Sequence, residues 1–225
     1  MLLGIEERGA VDTAQMILSG YLGSPDIAAV VADFVARAKA RNPELLYCCD
    51  PVLGDRDRGL FVHADLPPLV RDRLCPIAGI ITPNHFEFEY LGGAKAATID
   101  RVIEAARALM ARGPSTVVVT SAELADTPEG EIETLAVERS KAWRVRTPKL
   151  PTSPSGKGDL FAALLMSARV RGADTPDALS HAASAIFAVL ERTAIGGTEE
   201  MRIVESGDLL VHPKRRFDAI AISRS

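Results

Sequence analysis

Short apolar runs alternate along the chain with longer segments of helical period. Met16–Ser19 reads as a strand that opens into the loop Gly20-Tyr21-Leu22-Gly23. Ser24 followed by Pro25 is a helix start, an N-cap hydroxyl with proline at the first helical position. Ile27, Val30, Val31, Phe34, Val35 and Ala38 recur behind it at helical spacing and predict its buried face. Residues 45–49 form an apolar run ending in Asp50-Pro51, and 79–81 form one ending in Thr82-Pro83-Asn84. A short helix is predicted over 85–91, stopped by Gly92-Gly93. Thr98 caps a longer one, with Val102, Ile103, Ala106, Leu109 and Met110 on its apolar face and Gly113 at its end. Residues 116–119 are a β-branched run of the buried-strand kind. Residues 132–137 and 142–145 predict an antiparallel hairpin. Two helices follow, one from Asp159 to Val170 and one from Thr175-Pro176 to Thr193.

Strands alternating with helices predict a three-layer α/β/α sandwich with a mainly parallel sheet, in a single domain over 1–225. Ligands of such sheets bind beyond the carboxyl ends of the strands. The polar residues at those ends are Ser19-Gly20-Tyr21, Asp50, Thr82 with Asn84, and Thr120-Ser121, which are expected along one edge of the sheet.

Composition narrows the function classes. The 225 residues are 47% hydrophobic and 25% charged, with a net charge of −4. Interspersed charge of this sign argues against a general nucleic-acid binder or an anionic-membrane binder. Lys214-Arg215-Arg216 reads as a solvated face. Cys48, Cys49 and Cys75 make no disulfide framework, and the expected location is a reducing cytoplasm. The opening MLLGIEERGAVD has acids where a signal peptide needs bases. No apolar run approaches the ~18 residues of a membrane span. His63, His85, His181 and His212 lie far apart, without metal-ligand spacing, and read as ordinary surface or core residues.

The stretch with the most chemistry is LPTSPSGKGDLFAALLMSARV, at 150–170. It is not a Walker A loop: Gly158 follows the lysine where Ser or Thr is required, and Pro151 stands where the first glycine should be. Gly156 and Gly158 let backbone N–H groups turn inward, and the following helix presents its unpaired N–H groups and positive dipole end to the same spot. That is an anion hole suited to a phosphoryl group in transfer. Asp159, kept ionised in the first turn, can accept a proton from an attacking alcohol. The turn alone equally permits Asp159 to be only a helix cap.

Gly-x-Gly-Asp leading into Leu-Phe-Ala-Ala-Leu-Leu resembles the signature of the ribokinase-like superfamily. Ser-Gly-Tyr-Leu-Gly-Ser from Ser19, Asp-Pro-Val-Leu-Gly-Asp from Asp50, Thr82-Pro83-Asn84 with Glu87, and Thr120-Ser121 agree in order and spacing with the pyridoxal kinases, over nearly the whole chain. The resemblance implies a ribokinase-like fold and ATP-dependent phosphorylation of the 5′-hydroxymethyl group of pyridoxal, with pyridoxine and pyridoxamine as further substrates, in vitamin B6 salvage. It implies Asp159 as the base, and Gly156, Lys157 and Gly158 as the anion hole around the γ-phosphate. Asp50 and Glu87, with Asn84 nearby and Asp55 adding charge, would hold Mg²⁺ near the phosphates. Spaced acids suffice, because Mg²⁺ keeps several waters. Asp50, Thr82, Glu87, Thr120 and Ser121, with Thr147, Pro148, Lys149 and Leu150, would contact ATP. Tyr21 would lie near the pyridine ring. A monovalent cation is a further implication, as is a homodimer where the longer opening segment of the family is present. Taken singly, Asp50 could simply end a strand, and Asn84 and Glu87 could be first-turn residues of a surface helix. Two other functions fit the same residues: a hydroxymethylpyrimidine kinase, and a nucleotide-binding remnant without catalysis.

The sequence departs from the family in two places. Eighteen residues precede Ser19, where pyridoxal kinases have a longer opening segment that supplies strands and a cover for the site. The expectation is a chain lacking those strands and lid, with an exposed sheet edge and lower solubility or activity. Lys157 stands where the family usually has a small residue such as Thr or Val. It would either strengthen ATP binding or point to solvent.

Overall fold

The computed structural model describes residues 1–223. Its strands are β1 (Met16–Ser19), β2 (Leu46–Cys49), β3 (Gly54–Asp55), β4 (Gly59–Leu60), β5 (Ile80–Ile81), β6 (Thr116–Ala122), β7 (Glu131–Glu138), β8 (Ala142–Pro148) and β9 (Ile220–Ala221). Seven of them form one sheet in the order β1-β2-β5-β6-β7-β8-β9, while β3 and β4 pair as a separate small hairpin. The first four strands of the sheet pair in parallel. β7, β8 and β9 each run antiparallel to the strand before them.

The helices are α1 (Leu2–Glu7), α2 (Ala10–Thr13), α3 (Pro25–Arg41), α4 (Leu66–Leu69), α5 (His85–Gly92), α6 (Ile99–Met110), α7 (Lys157–Val170), α8 (Thr175–Gly196) and α9 (Gly207–Val211). Alternating strand residues face opposite layers. Tyr47, Cys49, Ile81, Val117, Val119 and Leu135 pack with α3 and α6 on one side. Cys48, Ile80, Val118, Ala136 and Val145 pack with α7 and α8 on the other. The chain is therefore the expected α/β/α sandwich. Among the described residues no helix is long and apolar enough to cross a membrane, and no strand covers the outer edge of β1, where Met16 is 36% exposed.

The caps read from sequence are in place. Ser24 Oγ accepts the Ile27 N–H at 3.3 Å and Thr98 Oγ1 the Arg101 N–H at 3.4 Å. The face of α3 is a correction. Phe34, Val35 and Ala38 are buried as expected, but Ile27 and Val30 are 51% and 57% exposed, and Ala28 and Ala32 are buried in their place. Ala28 and Ala32 let the helix seat closely along their stripe, which turns the branched residues outward. A second correction concerns α7, which starts at Lys157, two residues before the expected start. The irregular helical stretch 66–77, broken up by Pro67, Pro68 and Pro76, and the elements beyond residue 203 were not expected.

Candidate active site

The parallel strands bring the separated polar residues to one edge, as expected. Asp50 N–H donates to Ser19 C=O at 2.8 Å, Thr82 N–H to Cys49 C=O at 3.1 Å, and Thr120 N–H to Pro83 C=O at 2.9 Å. Asn84 and Thr120 form a parallel bridge. The register of β6 shifts between Val119 and Ala122, and Ser121 takes a left-handed backbone at φ 54°. A bulge there turns the strand end toward the cleft.

The N-cap of α7 is Gly156, left-handed at φ 79°, and no side chain caps the helix. The first intrahelical bond runs from Leu160 N–H to Gly156 C=O at 3.0 Å. The N–H groups of Lys157, Gly158 and Asp159 thus stand free of intrahelical partners. Asp159 is the third helical residue and caps nothing, so the helix-cap alternative does not describe it. Its Oδ1 lies 2.8 Å, and its Oδ2 3.8 Å, from the points where a Cβ would stand on Gly20 and Gly156 respectively. Asp159 is thereby flanked by two glycines, one just past the end of β1 and one in the turn, and it stays exposed toward the cleft.

Asp50 faces it. Asp50 is 5% exposed; Oδ1 accepts the Thr82 hydroxyl at 3.1 Å, and the buried Oδ2 has no partner. A Cβ on Gly158 would stand 3.7 Å from that oxygen. Burial, with the neighbouring charge of Asp159, pushes the Asp50 carboxyl up to about 7, against the Thr82 hydrogen bond. The folded chain then holds a proton the unfolded chain has released, so stability falls as pH rises from the ordinary 3.8 through about 7. Asp50→Asn should remove that slope in chelator-treated protein, raising the melting temperature at pH 8 and changing it little near pH 4. An equal shift at both pH values would contradict this.

Glu87 is 3% exposed and its burial pushes it up to about 8. Its carboxylate is already occupied: Oε1 accepts Leu53 N–H at 2.8 Å and Gly54 N–H at 3.3 Å, and Oε2 accepts Asn84 N–H at 2.9 Å. Asn84 completes a capping box with Glu87 and donates to Gly54 C=O at 2.8 Å. The pair therefore fixes the 53–54 turn next to Asp50, a role the sequence did not disclose. Asp55 is not a free acid either, since Arg58 Nε holds it at 2.8 Å and Arg58 N–H at 2.7 Å. Among the described residues no cluster of three metal-ligating side chains exists.

Lys157 does not point freely into solvent. It is half-buried, Nζ donates to Ser153 Oγ at 2.6 Å, and desolvation lowers its pKa despite the opposing pull of Asp55. Thr147 pairs with Ile132 across the hairpin, Pro148 pairs with Glu131, and Leu150 follows as β8 leaves the sheet. Lys149 Nζ is paired with Glu123 at 3.0 Å. Tyr21 is exposed beyond the end of β1. Past Leu150 the chain borders a cavity of 540 Å³ between the loop 151–155 and the end of α8 with the residues that follow it, 193–199. The second wall was missed in the sequence, where Thr193 reads only as the last helical residue.

Comparison with known proteins fits this geometry. Pyridoxal kinase PdxY of Corynebacterium diphtheriae is 43% identical over 220 residues, which cover 98% of this chain and 78% of that protein. The PdxY protein of Leifsonia xyli subsp. xyli is 43% identical over 224 residues, covering 100% of this chain and 78% of the relative. The chain belongs to the pyridoxal kinase family. The family model that matches residues 12–202 is described as phosphomethylpyrimidine kinase. The pyridoxal kinase of Leishmania donovani, solved with ADP and pyridoxamine, superposes with a TM-score of 0.89 at 26% identity, over 99% of this chain and 79% of that one. Members of the pyridoxal kinase family are phosphotransferases with an alcohol acceptor.

Proposed function

We propose that this chain transfers the γ-phosphoryl group of ATP to the 5′-hydroxymethyl group of pyridoxal, and of pyridoxine and pyridoxamine, as a cytoplasmic homodimer. The observation that carries this is the placement of the Asp159 carboxylate beside the open N–H groups of 157–159, opposite the unpartnered oxygen of Asp50. Its substrates follow the Leishmania donovani kinase, which has been solved with ADP and either pyridoxamine or pyridoxine.

Asp159 takes the proton of the attacking hydroxyl as the O–P bond forms. The N–H groups of 157–159 receive the charge that gathers on the transferred phosphoryl oxygens. Asp50 Oδ2, buried and without a hydrogen-bond donor, fits a divalent cation that keeps waters and phosphate oxygens as its other ligands. Mg²⁺ held there would screen the β- and γ-phosphate charges. Glu87 and Asn84 keep the 53–54 turn in place beside it. The 540 Å³ cavity suits the nucleoside end of ATP, bordered by the chain that leaves β8. Thr120 and Ser121 present their groups from the strand ends, while the buried Thr82 spends its hydroxyl on Asp50, and Tyr21 lies on the pyridine side.

Lys157 adds a positive charge to the phosphate subsite. Lys157→Thr should raise KM for ATP about fivefold, the ~1 kcal/mol of a partly exposed charge pair, with kcat little changed. An unchanged KM would show that the ammonium serves only Ser153.

The substrate assignment is tested by comparing kcat/KM for pyridoxal and hydroxymethylpyrimidine on the same preparation. Pyridoxal should be favoured by about a hundredfold, the discrimination a shaped pocket can supply. Preference for the pyrimidine would transfer the chain to the other activity of its family.

A further inference from the structure

The segment after α8 turns back over the glycine turn, and past its share of the cavity wall at 197–199 none of the roles above uses it. α8 gives way to Gly197, left-handed at φ 62°. Thr193, fully buried, donates to Val189 C=O at 2.8 Å and accepts Arg202 N–H at 3.1 Å. Ser206, also fully buried, donates to Arg202 C=O at 2.6 Å. Both backbone polar groups of Arg202 are therefore gripped by buried hydroxyls, one on each side of the reversal. Its guanidinium lies over Gly196, with Nη1 2.5 Å from where a Cβ would stand, and Nε reaches Glu205 Oε1 at 3.3 Å. A buried hydroxyl that lost its partner would bear the full cost of its desolvation, so the grip fixes the backbone at this point.

One residue before the grip, Met201 crosses to the phosphate side. Its Cε lies 3.3 Å from the position of a Cβ on Gly156. Gly156 is the left-handed N-cap of α7 and has no side-chain cap to hold it. A glycine in that position has wide backbone freedom, and only packing from outside can limit it. Methionine suits such a contact because it fills irregular gaps. The same segment, through 197–199, lines the cavity beside the turn.

We infer that Met201 is a positioning residue for the anion hole: its methyl group holds the Gly156 turn so that the N–H groups of 157–159 keep their aim on the terminal phosphate, and the Thr193–Arg202–Ser206 grip sets Met201. The inference rests on the phosphotransfer role proposed above. It adds a second, C-terminal segment to the phosphate subsite, far from the glycine motif in sequence.

The test separates the terminal phosphate from the rest of the nucleotide. Affinities for ADP and for the non-hydrolysable triphosphate AMP-PNP are measured by titration calorimetry with Mg²⁺, on the intact chain, Met201→Ala and Met201→Leu. Met201→Ala should lose about tenfold in the AMP-PNP over ADP preference, with ADP affinity within about twofold, as expected when preorganised donors lose their aim. Met201→Leu, which fills the same space, should keep most of it. A preference unchanged in Met201→Ala, or equally poor in both variants, overturns the inference while leaving the nucleotide site intact. An unmodified chain that binds neither nucleotide overturns the site and the inference together.

Discussion

Asp159→Asn is expected to lower kcat by about a thousandfold, within the range for loss of a general base, while KM for ATP stays within about threefold. Asparagine keeps the size and polarity of the side chain and removes only its ability to take a proton. The carboxylate caps no N–H group of α7, so the substitution removes no helix-stabilising bond, and the melting temperature should barely move. Asparagine is as good a cap as aspartate. A residue serving only as a cap would therefore tolerate the change, and kcat within about fivefold of the original would refute the base assignment.

Gly20→Ala should be the next most damaging change, by about a hundredfold in kcat. The added Cβ would stand 2.8 Å from Asp159 Oδ1, closer than non-bonded atoms approach. Gly20 is not among the residues with positive φ, so alanine brings no backbone strain there. The freely rotating carboxylate gives way, and the base leaves its position. Folding should be nearly unaffected, and the loss should depend on Asp159 being present. Added to Asp159→Asn, Gly20→Ala should lower kcat by less than about threefold more, because both changes remove the same contribution. A full hundredfold loss in the double variant would mean that Gly20 acts through another group.

Much of this arrangement was legible in the sequence. Apolar runs that stop at Ser19, Asp50, Thr82 and Thr120 marked four neighbouring strand ends, because parallel strands must leave the sheet on one side. The glycine turn before α7 carried its chemistry in the residue types themselves. Less visible was which carboxylates remain free. Asp50 and Glu87 look alike in the sequence, yet Asp50 Oδ2 has no donor and Glu87 accepts three N–H groups from two segments thirty residues apart. Such occupancy depends on tertiary approach, and no local pattern encodes it. For α3, period alone favoured the large side chains Ile27 and Val30, whereas close packing selected Ala28 and Ala32. The reversal at 197–206 offered neither period nor motif. Its order comes from buried hydroxyls at Thr193 and Ser206, which sequence patterning reads as unremarkable helix and loop residues.

The most direct test of phosphotransfer through Asp159 is the initial rate of pyridoxal 5′-phosphate formation by the 225-residue chain, given pyridoxal, ATP and Mg²⁺, beside its Asp159→Asn variant. The expected result is steady product from the first and a rate about a thousandfold lower from the second. Nucleotide binding without any product from the unmodified chain would contradict it, and would mark the chain as a nucleotide-binding protein without this chemistry.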